Sequence, residues 1–383
     1  LSNLELHRMT YAEVNIQNLK SNIKTLKNLS QSDFFCPMVK SNGYGHGDKE
    51  VVQALIDEGV KTVGVALVEE AKRLRDYGFN DIEILVFGAI KEGAIDFLIN
   101  NKITPVISQW YEFDLFKNKN IKNFPIHIQF NTGMNRFGFK PDEAEKLSEF
   151  LNSNNLFQLA GVCTHLSCGE DFGIEDGYSS MQFLQFQRTL RYFNSQNIHM
   201  YNSSAFFSCL DKGLEQKSIG TRLGLAIYGC YPHVKNLKHK TTDLAELKSV
   251  MTLKSEVMSY QKLKPGERVS YGGDWTAQVP SMIGIVSIGY TDGYSRDYSN
   301  KGIMLFRGME VPVVGKVCMD YTMVDLTSVL GNESGKPGEE IVLFGEQGNK
   351  KISLEYLAEK INKIPYEIIT TIGRRVPRKY LHN

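Results

Sequence analysis

A set of polar side chains stands at the ends of apolar runs. Lys40 follows Cys36-Pro37-Met38-Val39, Arg136 follows the run 125–130, and His165 follows 157–163. Asn202 and Ser203 close the run 198–202, and Arg222 follows 217–221. Lysine is rarely buried without a purpose. A desolvated lysine loses affinity for its proton and becomes a nucleophile able to form a Schiff base with a carbonyl. Alone, Lys40 could equally extend to solvent. The loop Ser41-Asn42-Gly43-Tyr44-Gly45-His46-Gly47 follows it. Its three glycines would let backbone approach an anion closely, although such a loop is usually only a turn.

The elements that must position these groups alternate. Apolar runs near 34–39, 61–66, 82–87, 103–107, 125–130, 157–163, 198–202 and 217–221 read as strands. Helix-like stretches lie between them, most clearly Glu50–Glu58, Val68–Tyr77, Asp142–Asn152 and Tyr178–Ser195. Strands spaced by helices argue βαβ units and a parallel sheet. Eight repeats predict a (β/α)8 TIM-type barrel, whose active site lies at the carboxyl ends of the strands and whose last loops often bind phosphate. The polar set falls on that face. After about Lys240 the pattern changes to strand-like runs divided by turns such as Pro265-Gly266, Gly272-Gly273 and Arg307-Gly308, with one helix at Ser353–Ile361. The expectation is a barrel over 9–243 and a mostly β domain over 244–383, with residues 1–8 packing on the latter.

Composition excludes several classes. The 383 residues carry 44 Lys+Arg against 43 Asp+Glu, so no global basic bias draws in nucleic acid or an anionic membrane. No apolar stretch approaches the ~20 residues of a membrane span. The six cysteines form no C-x-x-C pair and fit a reducing, cytoplasmic setting. The chain opens on Leu1 rather than Met, which leaves export open. There is no H-E-x-x-H and no Cys/His cluster at ligand spacing, so no metal is expected.

Nine segments, in order and over nearly the whole chain, resemble the alanine racemase family of fold type III pyridoxal-phosphate enzymes. They are Pro37–Gly47, Asn131–Gly138, Thr164–Ser167, Asn202–Ala205, Arg222–Gly224 leading to Tyr228-Gly229, Val269–Gly272, Ile288–Tyr294, Gly315–Asp320 and Arg375–Arg378. The resemblance implies pyridoxal 5'-phosphate as cofactor and a head-to-tail homodimer. It implies that Lys40 holds the cofactor and is the base on the D-alanine face, with the partner subunit's Tyr271 the base on the L-alanine face. Racemisation removes a proton from one face of the α-carbon and returns one to the other, which two groups do most simply. A tyrosine with a pKa near 10 is about a thousandth phenolate at neutral pH, so positive charge must favour it. The resemblance assigns that task to His165 and Arg222. It also sets Arg222, which only donates, against the pyridine nitrogen. Tyr44, Ser203 and the backbone near Gly224, beside Leu225, would hold the phosphate. Arg136 and the Met319 backbone would take the substrate carboxylate, and Tyr290 would narrow the entrance. Wall-precursor supply is the role the family suggests.

Two positions depart from the family pattern. Many members carry a carbamylated lysine where this chain has Gln129, which cannot be carbamylated. Either Gln129 accepts a bond from Arg136 or a chloride takes the place. Arg374 stands where some relatives have tyrosine, and with Gln129 it motivates a broader amino-acid range. The rivals are a fold type III decarboxylase, which pairs the ring nitrogen with an acid, and a non-catalytic cofactor carrier, which lacks a β domain.

Overall fold

The first strand, β1 (Tyr11–Asn15), does not join the strands that follow it. It pairs antiparallel with β9 (Met251–Leu263) and parallel with the last strand, β18 (Arg378–Leu381). In the computed structural model, which describes residues 8–195, 197–214, 218–331 and 333–382, the chain divides accordingly. Residues up to Asn18 and from Ser249 onward form one unit, and Leu19–Lys248 the other. The expected boundaries at 9 and 243 are therefore corrected. Residues 9–18 belong with the β unit because their hydrogen-bonding partners lie there. Residues 1–7, expected to pack on that unit, lie outside the described residues. Arg8 does reach it, through a two-pronged pair with Asp292 at 2.8 and 3.0 Å.

The Leu19–Lys248 unit holds seven parallel strands in sequential order: β2 (Thr62–Val65), β3 (Glu83–Val86), β4 (Thr104–Ile107), β5 (Phe124–Phe130), β6 (Phe157–Thr164), β7 (Asn197–Tyr201) and β8 (Gly220–Thr221). The eighth staff is the segment 35–38. Phe35 bridges to Thr221 and Met38 to Gly64, both parallel, so the sheet closes on itself. The predicted strand 34–39 is reduced to these bridges for a physical reason. Pro37 has no N–H to give the ladder, and its carbonyl instead accepts from Gly64 at 2.9 Å. The strands are buried along nearly their whole length, as in a sheet covered on both faces. Phe34, Cys36, Leu85, Val106 and Cys163 pack together inside. The helices between the strands, such as Asp48–Asp57, Val68–Asp76 and Ala144–Ser153, put apolar stripes against the sheet. The helix from Tyr178 ends at Leu190, short of the expected Ser195.

The other unit is β-rich as expected. Between β9 and β18 it contains β10 (Arg268–Val269), β11 (Trp275–Thr276), β12 (Ser281–Val286), β13 (Ile303–Phe306), β14 (Met309–Pro312), β15 (Thr322–Asp325), β16 (Glu339–Gln347) and β17 (Lys350–Ile352). The main sheet runs β14-β13-β16-β9-β1-β18, and β12 pairs with both β9 and β15. Val269, Ile283, Val314 and Met323 form a small core beneath the β10–β11 hairpin. The helix Leu354–Lys360 is capped by Ser353, whose hydroxyl accepts from the Tyr356 N–H.

Candidate active site

The loop after Lys40 is not an ordinary glycine turn. Ser41, Asn42 and Gly43 have φ/ψ of 53/49°, 57/50° and 58/46°, and Tyr44 has φ 51°. This is a turn of left-handed helix. For residues other than glycine such backbone costs about 1–2 kcal/mol each, so something must hold it. Glu70 does so from the start of the Val68–Asp76 helix. Its carboxylate accepts from the N–H groups of Ser41 (2.6 Å), Ala66 (2.8 Å) and Leu67 (3.1 Å). Asn42 accepts from the Asp48 N–H, and Gly43 and Gly45 donate to Val39 and Ser41 carbonyls. The turn thus fixes Lys40 at the carboxyl end of its barrel segment. Burial lowers the Lys40 pKa, and the guanidinium of Arg136 lowers it further. Glu70 opposes this, while Arg222 adds to it. An amine so depressed has a larger neutral fraction than a surface lysine, and that fraction can attack an aldehyde.

Arg222 lies buried at the end of β8 without a carboxylate partner among the described residues. One of its terminal nitrogens donates to the His199 carbonyl and to His199 Nδ1, both at 2.8 Å. The other donates to the Thr164 carbonyl at 2.8 Å and to His165 Nδ1 at 3.2 Å. A guanidinium cannot accept, so it dictates the histidine tautomers. His199 must carry its proton on Nε2, which faces His127 Nδ1 at 2.8 Å. His127 then carries its own on Nε2, a buried atom with no hydrogen-bond partner among the described residues. Burial, then Arg222, hold the His127 pKa down at about 3. Burial, Arg222 and His127 hold that of His199 well below its usual value. Burial, Arg222, Arg136 and Lys40 bring His165 to about 3. All three rings are neutral at pH 7. Of the pair expected to supply positive charge, only Arg222 does. His127, His199 and Glu70 escaped the sequence reading, although a histidine inside an apolar strand was a signal for the first two.

An anion cradle forms where β7 and β8 end. Asn202, not Ser203, caps the helix Ser203–Lys212, its side chain accepting from the Ala205 N–H at 3.0 Å. The first amides of that helix lack intrahelical acceptors and point outward, which favours an anion. The Ser203 hydroxyl lies 3.4 Å from the Ala226 N–H, in the one-turn helix Leu225–Tyr228. Gly224 starts that turn, and a side chain there would collide with the Tyr44 hydroxyl. Tyr44, Ser203, Gly224 and Leu225 therefore converge. Hydroxyls and backbone amides suit a phosphate dianion, and with the Lys40 amine and the donor-only Arg222 the set fits pyridoxal phosphate.

Arg136 sits on the loop after β5, exposed and without a carboxylate partner among the described residues. Gln129 does not reach it. The Gln129 amide N–H donates to the Phe137 carbonyl at 3.1 Å, and among the described residues its oxygen accepts no bond from Arg136.

In the β unit, Tyr271, Tyr290 and Met319 gather around one segment. Cys318 O accepts from Tyr290 N–H (3.0 Å), and Met319 O accepts from both the N–H and the hydroxyl of Thr291 (3.2 and 2.8 Å). That leaves the Met319 N–H without a protein partner among the described residues. Asp320 pairs with Arg375 at 2.8 Å, and Arg375 also meets the buried Asp292 at 3.3 Å. Asp320 thus orients its neighbours. Tyr271, at the tip of the β10–β11 hairpin, is 71% exposed.

Comparison with known proteins gives a consistent result. Residues 14–232 match the family described as alanine racemase, N-terminal domain, and residues 250–380 match alanine racemase, C-terminal domain. The alanine racemase of Clostridium novyi is 36% identical, covering 98% of this chain and 96% of the relative. That of Carboxydothermus hydrogenoformans is 34% identical, covering 98% and 100%. Among solved structures, alanine racemase from E. faecalis superposes with a TM-score of 0.88 at 28% identity, covering 98% and 99%. The Bartonella henselae alanine racemase with covalently bound pyridoxal phosphate gives 0.84 at 28% identity, covering 97% and 99%.

Proposed function

The chain belongs to the alanine racemase family, and from that premise we propose that it interconverts L- and D-alanine with Lys40 and Tyr271 as its two proton-transferring groups. The observation that carries the reading is the Lys40 amine, desolvated and set beside Arg136 and Arg222 at the carboxyl face of the barrel. Pyridoxal phosphate, once bound, supplies the conjugated ring that draws electron density from the α-carbon.

The chain's own residues do the rest. The Lys40 nitrogen would hold the cofactor and exchange the proton on the D-alanine face. The Tyr271 oxygen exchanges the one on the L-alanine face. Tyr44, Ser203 and the amides at Gly224 and Leu225 hold the phosphate. Arg222 would stand against the cofactor's ring nitrogen as a donor that cannot accept; it would not favour a proton there, and that would favour simple proton return over transamination. A decarboxylase would need an acid at this place. Arg136 would bind the substrate carboxylate; in the β unit, the Met319 N–H and Tyr290 are the groups expected to meet substrate. Gln129 is committed to Phe137, so a chloride beside Arg136 is the balancing charge we favour.

Tyr271 is too exposed on its own chain to work in a water-excluded site, and this supports a homodimer in which the partner subunit's Tyr271 completes the site. None of the six cysteines is in a disulfide, in keeping with the cytoplasm. Among the described residues no helix is long and apolar enough to cross a membrane.

The test is a chiral assay of L-alanine, L-serine, L-lysine and L-arginine with pyridoxal phosphate, run beside Lys40→Ala and Tyr271→Phe. D-alanine should form with the intact protein and fall to background in both variants. Carbon dioxide release without inversion would overturn the proposal. Inversion of serine, lysine or arginine would widen the substrate range in the direction Gln129 and Arg374 suggest.

A further inference from the structure

Ser270 has φ 67° and ψ −177°, in a region that is essentially reserved for glycine. It is followed by Tyr271, then by Gly272 and Gly273, both also at positive φ. The tip of the β10–β11 hairpin therefore contains three residues in left-handed backbone, and only Ser270 among them has a side chain. That side chain is tied down. The Ser270 hydroxyl donates to the Lys316 carbonyl at 2.7 Å and lies 3.5 Å from the Cys318 thiol. A second tie runs from the Lys316 amine to Asp274 at 3.1 Å, on the far side of Tyr271. The hairpin tip is thus clamped at both ends onto Lys316, three residues before Met319. The clamp requires close approach. A Cβ on Gly315 would lie 2.7 Å from the Ser270 Cβ and 2.9 Å from the Val269 carbonyl oxygen.

We infer that Ser270 is a positioning residue for Tyr271, its hydroxyl holding a strained backbone so that the phenol is registered against the Met319 segment. This rests on the proposed role of Tyr271 as the base on the L-alanine face. The unusual conformation makes the inference sharp, because two small substitutions separate the hydroxyl from the strain. Ser270→Ala keeps the Cβ that disfavours this backbone and loses the bond that holds it. The tip then relaxes and Tyr271 leaves its register. Ser270→Gly also loses the bond, but glycine occupies the conformation without penalty. Alanine, the closer replacement in size, should therefore be the worse one.

The experiment measures kcat for both variants with C2-deuterated and ordinary alanine in each direction. Ser270→Ala should lower kcat about tenfold to a hundredfold, the scale of one such backbone penalty. Ser270→Gly should lose distinctly less. In the L-to-D direction the deuterium passes to Tyr271, so Ser270→Ala should raise that isotope effect. In the D-to-L direction it passes to Lys40, and that effect should fall. A general loss of structure would reduce both rates and leave the two effects in place. The unfolding midpoint of the cofactor-free protein should also be lower for alanine than for glycine. Equal loss in the two variants, greater loss for glycine, or isotope effects that do not diverge would overturn the inference. Tyr271→Phe is run alongside. If it retains activity, the base assignment itself fails. If it is inactive while Ser270→Ala shows no divergence, the positioning role alone fails.

Discussion

Lowering the pH from 7.5 to 5.5 should weaken the barrel unit by a calculable amount. His127 and His199 are fully buried and linked through their ring nitrogens, with Arg222 fixing both as neutral. Their folded pKa values are depressed, to about 3 for His127 and well below normal for His199. In the unfolded chain each returns to about 6.5. The stability tied to a depressed group is complete above its unfolded value and is lost as the pH falls, because the unfolded state then binds protons that the native state refuses. At pH 5.5 each ring kept neutral by the fold costs roughly 1 kcal/mol, and the pair roughly 2–3 kcal/mol. His165, brought to about 3 by burial and then Arg222, shifts the balance in the same direction. The depressed carboxylates Asp57, Asp211, Asp297 and Glu339 titrate at lower pH and do not contribute in this window. The chain has two tryptophans, so a Trp275→Phe background leaves Trp110 as the reporter. Trp110 sits among Phe113, Phe139 and Phe150 in the barrel unit. Urea unfolding of the cofactor-free protein, followed by its fluorescence, should show the drop mainly between pH 6.5 and 5.5. A free energy at pH 5.5 within about 0.5 kcal/mol of the pH 7.5 value would refute the neutral-histidine chain.

Three further outcomes are expected. Gly224→Ala should raise the dissociation constant for pyridoxal phosphate at least about tenfold, the loss of roughly one good hydrogen bond at the cradle; unchanged affinity in a cofactor titration would show that the Tyr44–Gly224 approach does not shape the phosphate site. Asn202→Ala should cost about 1 kcal/mol in chemical denaturation through the lost cap, whereas Ser203→Ala should cost less stability and more cofactor affinity. Replacing chloride with a large non-coordinating anion should raise KM for alanine if a halide balances Arg136; a KM indifferent to the anion would return the question to Gln129.

Much of this was legible from local pattern. The runs near 61–66, 82–87, 103–107, 125–130, 157–163 and 198–202 match the observed strands to within one residue at either end, because parallel strands buried on both faces are written as largely apolar stretches. The run 217–221 yields only Gly220–Thr221 as strand, and residue 217 lies outside the described residues. What failed was whatever depended on distant partners. Nothing local in Tyr11–Asn15 says that it will pair with β9 and β18 rather than start the barrel. The left-handed turn at Ser41–Tyr44 was hidden because only one of its four residues is glycine, and its support comes from Glu70. Arg222 and His165 were found, but His199 and His127 were not, since their link joins β7 to β5 and is invisible in local pattern.

The seam of the barrel has a temporal consequence. Phe35 meets Thr221 and Met38 meets Gly64 as isolated bridges, each backed by a few backbone hydrogen bonds. The Phe35–Thr221 contact joins positions far apart in sequence, so it has the greater loop-closure entropy to overcome and forms late. On a ribosome, Lys40 emerges long before the stretch that contains Thr221 and Arg222. The nascent chain therefore has Lys40, the proposed Schiff-base lysine, exposed for most of synthesis but no pocket around it. Capture of the cofactor belongs to the final step of folding. By binding only the closed barrel, the cofactor draws that last equilibrium forward.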